Sequence, residues 1–450
     1  MTTRMKNDAI FTNLATRHRT CIDLFAGAGG LSTGLELAGF EVLFANELMA
    51  SYAKTLSHNH PSTEVCVNDI REVAPSNIRK ALGLAVGELD LVAGGPPCQG
   101  FSINAPIRSA EDLRNHLFLN YLDFVKEFRP KVVLIENVPG MVSYESGGTV
   151  SAIIKSLADL GYAGEVRVLY APHFGIPQMR WRTIFLATRL EIPSQAFYPV
   201  PTHSIKGRPN FTTKLGGRTL IFSDKYVSDN ANLHFTTVKD AIDDLPEISN
   251  GGGSAESQYM HDGNSDYQNL LRAGSDILTN HQCAKLGKVN IDRLKFIPAG
   301  GSWRDIPHDL LPKGMQRARR SDHTKRYGRL DPSGLASTIL TKCDPHWGSY
   351  IHPSQDRVLS VREAARLQSF PDKVKFFGSL TEQYEQVGNA VPPLFAKAIA
   401  DQIQLVLQRH EDGHSIANAF FGINAHQELP FSGNQHSFFD ELKLPSSNPN

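Results

Sequence analysis

A glycine-rich turn between a buried strand and a helix, near the amino terminus, constrains the fold more than any other feature. Residues 20–25 (TCIDLF) are typical of a buried strand, residues 26–30 (AGAGG) form the turn, and a helical pattern covers residues 31–38. Such units hold nucleotides in doubly wound α/β sheets, because glycines let a ligand approach the backbone closely. The third glycine of the dinucleotide fingerprint is absent, since Ser32 stands in its place.

An acidic residue follows the next predicted strand, residues 41–45. Glu47 lies about 20 residues beyond the glycines, where a carboxylate can accept hydrogen bonds from both ribose hydroxyls. Another acidic loop follows at Asn68-Asp69-Ile70. The pattern indicates an adenosine-type cofactor, and a tight structural turn is the alternative.

One cysteine lies in a rigid loop at the end of a further predicted strand, residues 89–93. Pro96 and Pro97 fix the backbone before Cys98, and glycines on both sides leave room for a ligand. Open α/β sheets bind ligands at the carboxyl ends of their strands, so Cys98 is well placed to act as a nucleophile. The alternative is a small, buried and inert thiol, which is the common state of a free cysteine.

Predicted strands and helices continue to alternate up to about residue 190. Strands are predicted at residues 131–135, 166–170 and 183–187, and helices at residues 113–128 and 149–160. This alternation predicts a parallel, doubly wound α/β domain. Glu136 directly follows one strand and therefore lies at the same carboxyl edge as Cys98. A carboxylate there fits a structural cap or ion-pair partner as well as a functional acid.

The overall composition is that of a soluble globular protein, with 450 residues, 41% apolar and 20% charged. This length suggests two or three domains. We expect a cytoplasmic protein without membrane contact, because no signal segment opens the chain and no apolar run reaches the roughly 18 residues of a membrane span. Five scattered cysteines without a CxxC pair argue against a disulfide framework and against a zinc site, so no metal is predicted.

The composition changes near Pro193, and the chain from there to about residue 327 is rich in Gly, Asp, Asn and Ser without βα alternation. Basic and acidic residues balance at 46 each, so nucleic-acid binding would depend on a local basic patch. One such run lies at residues 313–329, and it fits either phosphate contacts or a solvated surface. Its central members are Arg317, Arg319, Arg320, Lys325 and Arg326.

Regular structure is predicted again near the carboxyl terminus. Ser360 and Glu363 form a capping box that opens a helix through Leu367. Two prolines then start a final amphipathic helix that extends to about residue 408. We expect residues 1 to about 19 to be a loose lead-in and residues 411–450 to be a disordered tail.

Together, these motifs resemble those of the DNA (cytosine-5) methyltransferase family, in the order in which that family carries them. The resemblance extends from residue 20 to about residue 400 and omits the variable middle and both ends. The matching segments are DLFAGAGG (23–30), GGPPCQGFS (94–102), ENV (136–138), QMRWR (178–182), RLDPSGLASTI (329–339), RLQSFPD (366–372) and QVGNAVPP (386–393).

The resemblance implies a Rossmann-like, doubly wound α/β sheet of the S-adenosylmethionine-dependent methyltransferases with a smaller, irregular target-recognition domain. It assigns residues 1–192 and 355–410 to the catalytic domain and residues 193–354 to target recognition and the DNA cleft. It further implies a monomer that acts on double-stranded DNA, in a restriction–modification system with a cognate restriction endonuclease.

The resemblance also implies a mechanism, with S-adenosyl-L-methionine as the methyl donor and a cytosine flipped out of the duplex. Cys98 would add to carbon 6, because carbon 5 is too weak a nucleophile alone, and Arg180 would favour the thiolate. Glu136, with a raised pKa, would hold a proton against ring nitrogen 3. Arg182 would bind the ring oxygen and orient Glu136.

For the cofactor, the resemblance implies that Phe25 packs on the adenine, Glu47 binds the ribose and Asp69 binds the adenine amino group. Asn389 would close the methionine side of the pocket, and Leu48 stands where some members carry an aromatic residue. The other implied cofactor-binding residues are Asp23, Ala26, Gly27, Gly29, Gly30, Leu31, Ile70, Pro97, Leu117 and Val391. DNA contacts are expected from Gln99, Ser102, Arg317, Arg319, Arg320, Lys325 and Arg326.

Three alternatives explain part of the pattern. An RNA methyltransferase of the same family would keep all motifs, but the long middle region favours duplex DNA, since reading bases in a groove needs a dedicated surface. An NAD-dependent oxidoreductase would explain the glycine turn and Glu47, but not Cys98 together with Glu136. A catalytically inactive DNA-binding module would not need that cysteine and glutamate.

Overall fold

The computed structural model describes residues 18–97, 117–205, 214–215, 218–222, 224–322, 325–414 and 416. Within these residues, seven strands form one central sheet in the order β3-β2-β1-β4-β5-β7-β6. The strands are β1 (Arg19–Leu24), β2 (Phe40–Asn46), β3 (Glu64–Cys66), β4 (Leu91–Gly94), β5 (Val132–Asn137), β6 (Ala163–Tyr170) and β7 (Trp181–Thr188). Each strand predicted from the sequence overlaps one of them.

The sheet is mixed, which corrects the prediction of a parallel sheet. Strands β1 to β5 pair in parallel, but β7 lies between β5 and β6 and runs antiparallel to both. The connection from β6 to β7, residues 171–180, contains only a short 3-10 turn. It is too short for the crossover of about a dozen residues or more that a parallel pair requires.

Helices cover both faces of this sheet. The helices of the described residues are α1 (Gly30–Leu37), α2 (Ala50–Asn59), α3 (Pro75–Ala81), α4 (Leu117–Phe128), α5 (Gly148–Asp159), α6 (Asp224–Asn230), α7 (Val238–Ile242), α8 (Asp266–Arg272), α9 (Lys288–Leu294), α10 (Val361–Leu367), α11 (Leu380–Asn389) and α12 (Pro393–Glu411). Those that pack on the sheet include α1 and α12 on one face and α4 and α5 on the other. Alternate residues of a central strand enter opposite cores: in β5, Val132 and Leu134 pack with α1 and α12, whereas Val133 and Ile135 pack with α4 and α5. Burial on both faces explains why the strand sequences are continuously apolar.

The last helix, α12, packs directly against the first. A Cβ atom at Gly34 would lie 2.4 Å from both the Cβ of Ala396 and the carbonyl oxygen of Pro393, so glycine permits the close contact between the helices. Pro392 is the N-cap of α12 and makes no side-chain cap. Instead, the Oγ of Ser369 accepts a hydrogen bond from the backbone N–H of Leu394 at 3.1 Å.

Two further cores lie in the second half of the chain. One joins α7 and α8 to α10 and α11 and includes Ala28 of the glycine turn, and a smaller one surrounds Trp303. Tyr198 packs into the sheet core. Packing therefore crosses the predicted domain boundaries at residues 192 and 354, and the division into domains stays a prediction. Short strand pairs complete this half: β8 (His203–Ser204) with β11 (Leu233–His234), β9 (Lys214–Leu215) with β10 (Arg218–Thr219), and β12 (Gly253–Ser257) with β13 (Leu278–Gln282).

The predicted capping box at the start of α10 is confirmed, since the Oγ of Ser360 accepts from the N–H of Glu363 and the Glu363 carboxylate accepts from the N–H of Ser360. Helix α12 ends at Glu411, whose carboxylate pairs with Arg19 and Lys131 at 3.0 Å each. Ile416 packs into the sheet core. The start of the predicted tail is thus packed on the protein, while residues 1–17 and 417–450 lie outside the described residues. Among the described helices, none is long and apolar enough to cross a membrane.

Candidate active site

Three motif-bearing segments meet at the carboxyl edge of the sheet because β1, β4 and β5 are neighbours. Leu24 at the end of β1 lies opposite Gly94 of β4, and Gly94 lies opposite Ile135 of β5. A Cβ at Gly94 would stand 2.4 Å from the carbonyl oxygen of Leu24, so this approach needs glycine. The glycine turn, the loop after β4 and Glu136 therefore start side by side.

The loop after β4 is anchored to the strand that carries Glu136. Asn137 donates from Nδ2 to the carbonyl oxygen of Pro96 at 2.9 Å. A Cβ at Gly95 would lie 3.1 Å from Oε2 of Glu136, so the loop passes directly beside the carboxylate. The predicted site residues farther along the loop lie outside the described residues, and their roles stay predictions: Cys98, Gln99 and Ser102.

Glu136 forms an ion pair with the second arginine of the QMRWR segment. The Nε of Arg182 lies 2.5 Å from Oε1 of Glu136, and 11% and 13% of the two side chains are exposed. The pairing of β5 with β7 brings the two residues to the same edge. Burial lowers the pKa of the Arg182 guanidinium, and the charge of Glu136 opposes that shift. The pair holds the Glu136 carboxylate in one direction, and its catalytic role stays a prediction.

The first arginine of the segment lies deeper. Arg180 is 1% exposed, and its guanidinium donates to the carbonyl oxygens of Ile339 at 3.1 Å, Gly388 at 3.0 Å and Ala390 at 2.9 Å. The predicted role of Arg180 is to favour the thiolate of the nucleophile. The contacts of Arg180 among the described residues are with two carboxyl-terminal motifs and with Gln178. Cys98 lies outside the described residues, so the role at the thiolate stays a prediction.

The glycine turn has an unusual backbone. Phe25 has a φ of +62° and Gly27 a φ of +60°, in the left-handed region that phenylalanine rarely adopts. A Cβ at Gly27 would have no heavy atom within 4 Å, so the turn borders open space there. Glu47 faces the turn, with Oε2 accepting from the N–H of Gly27 at 2.9 Å and Oε1 accepting from the N–H of Met49 at 2.8 Å. Burial raises the pKa of Glu47.

Asp23 lies fully buried just before the turn. Its Oδ2 accepts a hydrogen bond from the Oγ of Ser32 at 2.6 Å, whereas Oδ1 has no hydrogen-bond partner among the described residues. Burial raises the pKa of Asp23 to about 7. An unsatisfied buried acceptor is rare in folded proteins, and it marks this end of β1 as a polar site.

The side of the pocket predicted to hold the adenine contains a contact that sequence reasoning missed. Arg71 pairs with the carboxylate of Asp69 at 2.5 Å, and the N–H of Arg71 also donates to Asp69 at 3.0 Å. The side-chain hydrogen bond from Arg71 lowers the pKa of Asp69 to about 2. Leu48 is 59% exposed and Ile70 is buried. Any contact of Asp69 with adenine would therefore share the carboxylate with Arg71.

The carboxyl-terminal motif abuts the glycine turn, as the resemblance implies. A Cβ at Gly30 would lie 2.4 Å from the carbonyl oxygen of Val391. Asn389 donates from Nδ2 to the hydroxyl of Tyr52 at 3.4 Å. The remaining predicted cofactor residues divide into buried ones (Ala26, Gly29, Leu31) and half-buried ones (Pro97, Leu117).

Comparison with known proteins identifies the family. A family model described as C-5 cytosine-specific DNA methylase matches residues 19–405. The chain belongs to this family. The type II methyltransferase M.AgeI of Thalassovita gelatinovora is 32% identical over 434 residues, which cover 86% of this chain and 99% of that protein. The DNA (cytosine-5)-methyltransferase 1 of Mus musculus is 32% identical over 465 residues, which cover 86% of this chain but 28% of that protein.

Solved structures share the fold of this cytosine-5 methyltransferase. A putative DNA modification methyltransferase encoded within an E. coli prophage gives a TM-score of 0.65 at 24% identity, over 87% of this chain and 99% of that chain. The S. pombe Dnmt2 methyltransferase gives 0.51 at 16% identity, over 87% and 99%. The predicted family, α/β fold class and enzyme class are therefore confirmed. So is the predicted cofactor, since enzymes of this family use S-adenosyl-L-methionine.

The residues at the turn fit that cofactor. Gly27 leaves the turn open, and the carboxylate oxygens of Glu47 keep lone pairs beyond those used by the backbone, so they can accept from ribose hydroxyls. Exposed Leu48 offers apolar surface beside Glu47 for a heterocycle. Asn389 would bound the opposite side. The individual contacts stay predictions.

The predicted basic cluster of the methyltransferase lies at the protein surface. Arg317, Arg319, Arg320 and Lys325 are exposed, and Arg326 lies over the ring of Trp347, 5.9 Å from its centroid. Within the part of the chain that the structure describes, none of these five cations pairs with a carboxylate. Their charges are therefore available to phosphates, and contact with DNA stays a prediction.

Sequence reasoning missed three polar residues that hold the methyltransferase motifs together. Gln178 donates to the carbonyl oxygen of Leu367 at 3.1 Å and to Oε1 of Gln368 at 2.9 Å. Gln368 in turn donates to the carbonyl oxygen of Val387 at 2.7 Å, and Ser369 caps α12. The available signal is the presence of uncharged polar residues inside the matched motifs, since a buried amide or hydroxyl must find a partner.

Proposed function

We propose that the enzyme methylates carbon 5 of a specific cytosine in double-stranded DNA through a covalent adduct with Cys98, after flipping the base out of the duplex. The observation that carries the proposal is the hydrogen bond from Asn137 to Pro96, which ties the Cys98 loop to the strand that ends in the Glu136–Arg182 pair. A base between loop and strand would meet a nucleophile and a positioned acid together. A stacked base cannot reach such a site.

Each of the three side chains has a distinct task in this proposal. The thiolate of Cys98 forms a bond to carbon 6, which makes carbon 5 electron-rich. Glu136 holds a proton against ring nitrogen 3, so that the negative charge of the adduct is neutralised, and Arg182 keeps Glu136 in place. Bound S-adenosyl-L-methionine supplies the electrophilic methyl group. Loss of the proton from methylated carbon 5 to water then breaks the bond to sulfur and restores the thiolate.

The decisive experiment uses duplex DNA with 5-fluorocytosine at the target position. Fluorine cannot leave as a proton does, so the wild-type enzyme should remain attached to the DNA on a denaturing gel when the cofactor is present. Cys98→Ala should form no adduct and should transfer no methyl group, whereas Cys66→Ala, a half-buried cysteine outside the loop, should behave like wild type. An adduct with Cys98→Ala would contradict the proposal.

The same preparation tests the substrate class. Tritiated S-adenosyl-L-methionine should label duplex DNA and leave transfer RNA unlabelled. Label in transfer RNA alone would replace the DNA proposal with an RNA one.

We further infer that the enzyme acts as a cytoplasmic monomer and is the modification partner of a restriction endonuclease. The type II methyltransferase M.AgeI, which matches over nearly its whole length, supports the role in modification. Bisulfite sequencing of DNA from cells that express the protein should reveal one short modified sequence, and that DNA should resist an endonuclease of the same specificity. Methylation scattered over unrelated sequences would contradict the inference.

A further inference from the structure

The backbone carbonyls around Asn389 are held by buried side chains from distant parts of the chain. Gln368 donates to the carbonyl oxygen of Val387 at 2.7 Å, and Nη2 of Arg180 donates to those of Gly388 at 3.0 Å and Ala390 at 2.9 Å. Both donors are fully buried. The segment on either side of Asn389 is therefore fixed from outside its own helix.

The end of α11 needs such donors. Asn389 is the last residue of the helix, and Ala390 is extended, so the final carbonyls have no partners within the helix. A Cβ at Gly388 would lie 2.3 Å from the carbonyl group of Leu340, so the two segments touch through their backbones. Arg180 joins them, because its Nη1 donates to the carbonyl oxygen of Ile339 at 3.1 Å while Nη2 holds the end of α11.

Residues 388–391, which these hydrogen bonds hold, lie against the glycine turn. A Cβ at Gly30 would lie 2.4 Å from the carbonyl oxygen of Val391 and 3.0 Å from the Cβ of Ala390. A shift of residues 388–391 would therefore either invade the turn or open it. The hydrogen bonds of Arg180 thus hold the segment that borders the turn.

We propose that Arg180 is a positioning residue for cofactor binding, which holds residues 388–391 against the glycine turn. The proposal rests on the proposed function for the identity of the ligand. All four N–H groups on Nη1 and Nη2 are used, since Nη1 also approaches Oε1 of Gln178 at 3.5 Å.

Arg180→Lys tests the positioning role, because lysine keeps the charge but cannot bridge two backbone segments from one nitrogen. Calorimetric titration with S-adenosyl-L-homocysteine should show affinity at least about tenfold weaker than wild type, as expected from losing one hydrogen bond with a charged donor. Exchange of the cytosine carbon-5 hydrogen with water, measured without cofactor, reports thiolate addition. Its rate and its pH profile should stay unchanged.

Arg329→Lys is the matched control. Arg329 is also buried and donates to the carbonyl oxygens of Leu294, Ile297 and His352, and it pairs with Asp356 at 2.6 Å. Among the described residues, it has no contact with the glycine turn. This variant should be less stable than wild type but should bind S-adenosyl-L-homocysteine with wild-type affinity. Equal loss of affinity in both lysine variants would trace the effect to general destabilisation and overturn the proposal.

Gln368→Met is a second test that holds if Arg180→Lys does not fold. It removes the donor to Val387 and should also weaken the affinity for S-adenosyl-L-homocysteine, by a few-fold to about tenfold. Wild-type affinity for S-adenosyl-L-homocysteine in whichever of the two variants folds would refute the proposal. Normal affinity together with loss of carbon-5 hydrogen exchange in Arg180→Lys would assign Arg180 to the thiol. Failure of the wild-type enzyme to label DNA would refute the proposed function instead.

Discussion

Replacing Glu136 by glutamine keeps the shape of the side chain but removes its charge and its ability to transfer a proton. In the structure the carboxylate is largely buried and faces Nε of Arg182 at 2.5 Å. Removing a positioned acid slows a reaction by about 10²- to 10⁴-fold, or about 3–5 kcal/mol in the activation barrier. We expect Glu136→Gln to lower the single-turnover rate of methyl transfer within that range.

The same substitution perturbs the ion pair, and the size of that effect can be measured separately. A hydrogen bond with a charged partner contributes about 1.5–3 kcal/mol to stability, and the neutral carbonyl of glutamine retains part of it. The free energy of unfolding should therefore fall by about 1–2 kcal/mol. Glu136→Asp is the matched control, since it keeps the charge but shortens the reach by one methylene group.

Rapid-quench assays with tritiated cofactor would give the rate, and chemical denaturation would give the stability. Affinity for S-adenosyl-L-homocysteine should not change in either variant, because no contact joins Glu136 to the glycine turn within the residues that the structure describes. A Glu136→Gln variant that loses stability as expected but turns over within threefold of wild type would refute the reasoning. Glu136 would then be a structural partner of Arg182.

Three further perturbations test other parts of the molecule. The pKa of Asp23 rises from 3.8 to about 7 on folding, so the wild-type protein loses stability as the pH rises through this window. In denaturation experiments, Asp23→Asn should flatten this pH profile. At pH 8 the variant should be more stable than wild type by up to about 4 kcal/mol. Gly34→Ala should push α1 away from α12 and lower the free energy of unfolding by about 1–3 kcal/mol, which would appear as a lower melting temperature. An unchanged melting temperature would contradict the close packing of the two helices. Alanine at Arg317, Arg319 or Arg320 should lower affinity for all duplexes and reduce the salt slope by about one where the contact is to phosphate. A reader of a guanine edge should lose about 1–3 kcal/mol for the target duplex alone, and wild-type binding by all three variants would make the cluster a solvated surface.

Local sequence patterns predict the elements of the catalytic sheet well. The strands that become β1, β4 and β5 are short apolar runs between turn signals, and burial on both faces requires such runs. The direction of β7 is not predictable in this way, because the apolar period of a strand is the same in parallel and antiparallel sheets. Only the length of the connection from β6 distinguishes the two, and its last three residues belong to the matched segment QMRWR (178–182).

The candidate site is predictable where residue type and motif suffice, as for Glu136 beside Arg182. It is not predictable where a side chain acts on backbone far away in sequence. Arg180 has the same charge and motif as Arg182, yet it meets carbonyls of residues more than 150 positions later. Asp69 is similar, because its partner Arg71 is close in sequence but becomes relevant only through the local 3-10 turn.

The alternation of Arg180, Trp181 and Arg182 at the start of β7 links the two halves of the site. Arg180 immediately precedes β7 and Arg182 is its second residue, so both arginines lie at the same edge of the sheet. Arg182 contacts Glu136, and Arg180 contacts the end of α11. A displacement of this segment would thus alter the proposed acid and the wall of the cofactor turn together. That shared anchor gives a physical reason for the motif to contain two arginines, even though only one of them forms an ion pair with Glu136.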